Sequence, residues 1–222
     1  DRLRSRGLGD VYKRQRERDS RAILGNESLK RMAYEQMSEP GRAAYPVHKC
    51  RVEQAPDVAG ELTANGDYDL LFFDLPGTVN SSGILRTIAQ MDYIFAPISA
   101  DKAVLESTLA FLDVLQRMML GKETSRLKGL YVFWNQVDKR EKSDLYRKYE
   151  QVIADMKLPM LRTRIPDTKR FRKEPDTKSR VVFRCTLLPP DRRMIAGSGI
   201  PELIHEILSI LKLTEYEKTA AR

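Results

Sequence analysis

The segment Asp67-Tyr68-Asp69-Leu70-Leu71-Phe72-Phe73-Asp74-Leu75-Pro76-Gly77-Thr78 constrains the fold more than any other part of the chain. Consecutive large apolar residues, bounded by polar residues on one side and a Pro-Gly turn on the other, form the pattern of a short strand buried on both faces. Residues 70–74 are therefore expected inside an α/β core. Asp74 would fall at the C-terminal end of that strand, where open α/β sheets bind ligands. Two roles for it stay open: a turn-starting aspartate, or a carboxylate that helps hold Mg²⁺ beside a nucleotide.

The rest of the chain alternates between helical and strand patterns. A helical stripe runs from near Glu17 to about Ser38, with Gly25-Asn26 as a possible break. Tyr45–Cys50 reads as a possible short edge strand, since Pro46 discourages a central place. Pro56–Ala64 reads as a helix closed by Asn65-Gly66, and Ser82–Ala89 as a short helix capped by Ser81 or Ser82. Met91–Ile98, Lys128–Asn135 and Met160–Pro166 are three further strands, the last less apolar and so nearer an edge. Between them lie helices over Lys102–Leu120 and Glu141–Lys157. In the first, Leu105, Leu109, Leu112, Leu115 and Met119 recur at helical spacing; Phe111 and the methionines read as core packing. Val181–Thr186 reads as a last short strand, and Ser198 as the cap of a helix bearing Leu203, Ile204, Ile207, Leu208 and Leu211. This order predicts one domain over 16–213. It is an α/β fold with a mostly parallel sheet and helices on both faces, followed by a flexible tail at 214–222.

Residues 1–15 carry no usable periodicity. Ser5–Gln15 resembles a translated sequencing-adapter tail, which would place it outside the fold; the other reading is a disordered basic arm. Cys50 and Cys185 are isolated and show no metal spacing, which favours a reducing, cytoplasmic setting. His48 and His205 are equally isolated. No apolar run approaches the roughly 18 residues that a membrane span needs, so no transmembrane segment is expected.

The net charge of +8 favours acidic partners, nucleic acid among them. Between Leu158 and Asp191 nine basic residues stand against four acidic ones, Arg170, Arg172, Lys173 and Arg180 among the nine. This stretch is either a solvated surface or a set of nonspecific phosphate contacts.

Three strand ends carry groups suited to a nucleotide. Gly77 lets a backbone N–H approach a phosphate closely. Asn135 has a side-chain amide that donates and accepts at once, which suits an adenine edge. Ile165-Pro166-Asp167 places a proline where it can flank a base. With these pieces in this order the chain resembles the ParA/MinD family of P-loop partition ATPases. The resemblance rests on Tyr68–Gly77, Met91–Pro97 with Ala100-Asp101, Gly129–Asp138 and Leu161–Asp167. Phe73–Asn80, Pro97–Asp101 and Thr186-Leu187-Leu188-Pro189-Pro190 are similar to the ParA-type proteins of conjugative transposons, the TraA subgroup.

The resemblance implies a P-loop NTPase-like fold in which Asp74 acts on Mg²⁺ through water and Gly77 lies near the γ-phosphate. It also implies that Asn135 hydrogen-bonds adenine and that Pro166 flanks the base. The implied protein uses ATP and Mg²⁺, forms an ATP-dependent homodimer, binds DNA without sequence preference and works with a ParB-like or conjugation-apparatus partner. Against this, G-x-x-x-x-G-K-[ST] is absent from the sequence. At Gly121-Lys122 the earlier glycine is replaced by Gln116, and Glu123 follows the lysine. The expectation is therefore a fragment lacking the P-loop strand, inactive as given and marginally stable. The alternative is a non-catalytic basic α/β module that binds DNA or a partner.

Overall fold

Alternation of apolar strands with amphipathic helices produces the α/β architecture expected. The computed structural model describes residues 8–38, 46–48, 50–64, 68–75, 82–138, 140, 143–176, 178 and 181–213. Its helices are α1 (Leu8–Leu24), α2 (Glu27–Ser38), α3 (Ala55–Ala64), α4 (Ser82–Ile88), α5 (Lys102–Met118), α6 (Ser143–Asp155), α7 (Arg192–Ile195) and α8 (Ile200–Ile210). Its strands are β1 (Tyr93–Ile98), β2 (Gly129–Val137) and β3 (Met160–Pro166), and short 3₁₀ turns cover Val52–Gln54 and Lys169–Arg172. The chain divides into two units, Asp1–Thr87 with Lys169–Met194 and Ile88–Thr168 with Ile195–Arg222.

The second unit holds a three-stranded sheet in the order β1-β2-β3, parallel throughout. Strand alternation sorts its side chains. Leu130, Val132 and Trp134 point to one face of β2 and are fully buried. Trp134 meets Tyr146 of α6 edge to face at 4.9 Å, and its Nε1 donates to Glu150 at 2.8 Å. Glu150 also accepts from Arg164 of β3, whose guanidinium lies over the Tyr146 ring. Arg164 therefore faces α6, and its neighbour Thr163 faces the opposite way. The Thr163 hydroxyl donates to Glu206 of α8 at 2.8 Å. The sheet thus carries α6 on one face and α8 on the other, as the sequence predicts; right-handed crossovers put α5 with α6.

Helix α5 starts where Asp101 accepts the Val104 N–H at 3.0 Å, and it buries Leu105, Leu109, Leu112 and Leu115. Met119 is buried, but Met118 is 60% exposed and Phe111 only half-buried. The core reading of the methionines fails at Met118, which points away from the leucine stripe. Helix α8 begins one residue later than expected. Gly199 takes the cap position at φ +80°, where a Cβ would lie 3.1 Å from the Arg164 carbonyl oxygen, and the Ser198 hydroxyl accepts the Ile200 N–H.

In the first unit, α1 and α2 break at Gly25-Asn26 as predicted. Asn26 caps α2, its Oδ1 accepting the Ser28 and Leu29 N–H groups, and its Nδ2 donates to the Asp176 carbonyl. Ile23, Leu29, Val182 and Leu188 form the core of this unit. Helix α1 begins at Leu8, well before the expected start near Glu17, so residues 8–15 are helical backbone. Gln15 is buried and donates to Asp19 at 2.8 Å.

Three strand expectations fail. Residues 70–74 adopt no strand; Phe72 is 79% exposed and Asp74 is exposed. A strand buried on both faces needs a hydrogen-bonding neighbour, and among the described residues the sheet pairs only β1, β2 and β3. Without one, an apolar run of this length has no partner for its backbone groups. The described residues of 45–50 are likewise irregular and exposed, as Pro46 allows. Residues 181–186 form bends, not a strand, because their backbone is committed elsewhere. The Phe183 and Arg184 N–H groups converge on the Lys173 carbonyl, and the Thr186 N–H goes to Asp19.

Candidate functional site

The carboxyl ends of β2 and β3 carry two of the residues singled out from sequence. Strand β2 runs past Asn135 to Val137, and Val137 is in register with Pro166, the last residue of β3. Asn135 and Pro166 therefore stand at the ends of neighbouring parallel strands, both half-buried. The pairing shifts register between Trp134 and Val137, where Gln136 takes φ +55°. A left-handed residue other than glycine at a strand end is uncommon and costs on the order of 1 kcal/mol. Here it is supported by the Asn135 Oδ1, which accepts the Gln136 N–H at 3.0 Å. That leaves the Nδ2 donors of Asn135, which have no acceptor among the described residues.

Two carboxylates flank this end. Asp138 accepts from both the Nε and the Nη2 of Arg140, at 3.0 and 2.7 Å, and from the Arg140 backbone N–H at 2.9 Å. These bonds, the side-chain ones foremost, pull the Asp138 carboxyl down to about 2. The Asp167 N–H donates to the Val137 carbonyl at 2.9 Å, tying the two strand ends together. What assembles is an amide donor, a proline ring and a fixed carboxylate–guanidinium pair. It can hold a flat polar ring by its edge.

The remaining expected site residues belong to the first unit or lie outside the described residues. Asp74 belongs to the first unit, in a stretch without regular secondary structure, and is exposed. Gly77 lies outside the described residues, as does Arg180. Arg170, Arg172 and Lys173 sit in and just after the 3₁₀ turn of the first unit. Arg172 and Lys173 are exposed. Arg170 is half-buried and donates to the Met194 carbonyl at 3.0 Å, so part of its guanidinium works inside the fold. Lys169, Arg184, Arg192 and Arg193, all exposed in the same unit, extend the basic surface.

Two carboxylates that tie the second unit together escape sequence reasoning. Glu150 bridges Trp134 and Arg164, and Glu206 accepts the backbone N–H groups of Arg162 and Thr163 at 2.7 and 3.0 Å. Burial raises the Glu206 carboxyl, but these bonds outweigh it and the net shift is downward. Neither residue belongs to a local motif. A groove of about 830 Å³ between β3 and α8, lined by Met160, Arg162, Pro201 and His205, opens beside the start of β3. It lies at the wrong end of the sheet for the ligand site of an α/β fold, and Glu206 within it is already engaged.

The fit to a nucleotide is thus divided. The base end fits Asn135 and Pro166. The phosphate and Mg²⁺ end does not fit this chain: the phosphate loop is absent from the sequence, and no group of three metal-ligating side chains occurs among the described residues. No hydrolytic step follows from the residues present. No helix among the described residues is long and apolar enough to cross a membrane. No family model and no curated protein matches the chain.

Proposed function

We propose that this chain carries the base-binding half of a ParA-type, P-loop NTPase-like site of the TraA subgroup, in a cytoplasmic protein that acts on mobile DNA. The reading is supported above all by the pairing of Val137 with Pro166, which brings the stretches bearing Asn135 and Pro166 to the carboxyl ends of neighbouring parallel strands, where open α/β sheets bind ligands. The Asn135 Nδ2 donates to a ring nitrogen of adenine, and Pro166 packs on the base. The phosphates and Mg²⁺ of ATP would need a Gly-rich lysine loop from outside residues 1–222, with Asp74 and Gly77 completing it. ATP-dependent homodimerisation and a ParB-like or conjugation-apparatus partner belong to that complete form. Residues 1–222 alone bind a nucleotide weakly, through its base, and hydrolyse none. Titration with adenosine and ATP, with Asn135→Ala as the control, tests this.

A second reading, a non-catalytic basic module that binds DNA, is favoured by the exposed cations Lys169, Arg172, Lys173, Arg184, Arg192 and Arg193. Contact with about four phosphates weakens duplex binding on the order of 100-fold between 50 and 200 mM salt. Replacing Arg172 and Lys173 by alanine together lowers the log–log salt slope by about 2 and weakens binding equally for unrelated sequences. Fluorescence anisotropy with two unrelated duplexes measures both. Affinity that ignores salt, or that survives the double substitution, contradicts nucleic-acid contact through this surface.

A further inference from the structure

A purine that docks on Asn135 and Pro166 can be adenine or guanine, because both offer the same flat face and the same ring-nitrogen acceptors. The two differ along one edge. Adenine presents an acceptor nitrogen beside its amino group there, and guanine presents two N–H donors side by side. An ionised carboxylate only accepts, and its two oxygens match a pair of parallel N–H donors. A carboxylate therefore suits guanine and repels the adenine ring nitrogen. One stands three residues beyond Asn135. Asp138 directly follows Val137, which is in register with Pro166, and it is half-buried.

Asp138 is already engaged. Its Oδ1 accepts the Arg140 backbone N–H at 2.9 Å and the Nε at 3.0 Å, and its Oδ2 accepts the Nη2 at 2.7 Å. Both oxygens are taken by one planar fork, which presents parallel donors much as the guanine edge does. These bonds hold the carboxyl down at about 2, so it stays ionised and paired at neutral pH. The Asp167 carboxylate, one residue past Pro166, adds its charge to the pull on Arg140. Arg140 is thus held from the ends of both strands that make the site. Its side chain is 90% exposed, so its work here is electrostatic rather than packing.

We propose that Arg140 sets the purine preference of this site, by occupying the Asp138 carboxylate that would otherwise accept the N–H pair of guanine. This rests on the base-binding reading above and adds selectivity to it. With Asp138 neutralised by its partner, adenine meets no repulsion at its ring nitrogen, and guanine finds no acceptor for its two donors. A donor left without a partner lowers the affinity of a ligand roughly 10-fold. Arg140 is a positioning residue: it acts through Asp138.

Titration of the full chain with AMP and with GMP, followed by two-dimensional amide NMR at residues 135–138, tests the proposal. The two ligands share ribose and phosphate and differ only in the base. AMP is expected to bind about 10-fold tighter than GMP. Arg140→Ala moves the GMP-to-AMP affinity ratio about 10-fold toward GMP, and Arg140→Lys, which has no planar fork, moves it part of the way. Adding Asp138→Asn to Arg140→Ala abolishes the shift, because an amide keeps only one acceptor oxygen. In Arg140→Ala the Asp138 carboxyl, followed by carbon-13 NMR, titrates near the ordinary value of about 4. A ratio that Arg140→Ala leaves unchanged overturns the proposal. So does a shift that survives Asp138→Asn, or a native chain that prefers GMP. Those three results would leave base binding itself standing. A chain that binds neither nucleotide overturns the base-binding reading and this selectivity together.

Discussion

Trp134→Ala unfolds the sheet-bearing unit at room temperature or brings it to the edge of unfolding. Trp134 is fully buried at the centre of β2, where it packs on Tyr146 and Tyr149 and donates to Glu150. Removing a buried indole costs about 3–5 kcal/mol through lost transfer energy and the cavity left behind. The substitution also takes the indole N–H from Glu150, which keeps only its bond to Arg164. A typical domain has about 5–15 kcal/mol of stability, and among the described residues this unit has a sheet of three strands. Urea denaturation followed by far-ultraviolet circular dichroism gives the measure. Trp134→Phe, which keeps the ring contact and loses the hydrogen bond, falls between wild type and alanine. A midpoint for Trp134→Ala within error of wild type contradicts the packing described.

Asp19→Ala destabilises the first unit by about 3 kcal/mol. The Asp19 carboxylate is buried and accepts from the Thr186 N–H at 2.8 Å, the Thr186 hydroxyl at 2.7 Å and the Gln15 amide at 2.8 Å. Each donor orphaned inside the protein costs about 1–3 kcal/mol, and relief of the carboxylate's own desolvation offsets part of the sum. Asp19→Asn keeps one acceptor oxygen and loses about half as much. Hydrogen exchange of the Thr186 amide separates this from a general loss of stability, because that amide becomes unprotected first. Unchanged protection in Asp19→Ala would show that α1 and the 181–188 segment do not depend on this carboxylate. The prediction also bears on residues 8–15, whose resemblance to an adapter-derived tail set them outside the fold: Gln15 is one of the buried partners.

The local signals in the sequence were reliable where structure is local. Helix α5 begins at the Asp101 cap and α2 at the Asn26 cap, and α5 and α6 complete the two crossovers that join β1 to β2 and β2 to β3. The 70–74 run failed for a non-local reason. Its residues have the composition of a central strand, but a strand exists only where a neighbour accepts its backbone bonds, and composition cannot supply the neighbour. The 181–186 stretch failed similarly, its amides claimed by Asp19 and the Lys173 carbonyl, partners far from them in sequence. At the candidate site, Asn135 and Pro166 were legible because each ends a strand. Their adjacency depended on the β2–β3 register, and the Arg140 clamp on Asp138 left no motif to read.

The most direct test of the account is a titration of isotopically labelled chain with adenosine and with ATP, followed by two-dimensional amide NMR. The account predicts shift changes at the amides of residues 135–138 and 165–168 that saturate on the order of 1 mM. ATP should bind no more than a few-fold tighter than adenosine, because residues 1–222 contain no phosphate loop. Asn135→Ala should abolish the response to both. Shifts centred elsewhere, or the absence of any shift at 135–138 up to 10 mM, would contradict a base-binding site at the carboxyl ends of β2 and β3.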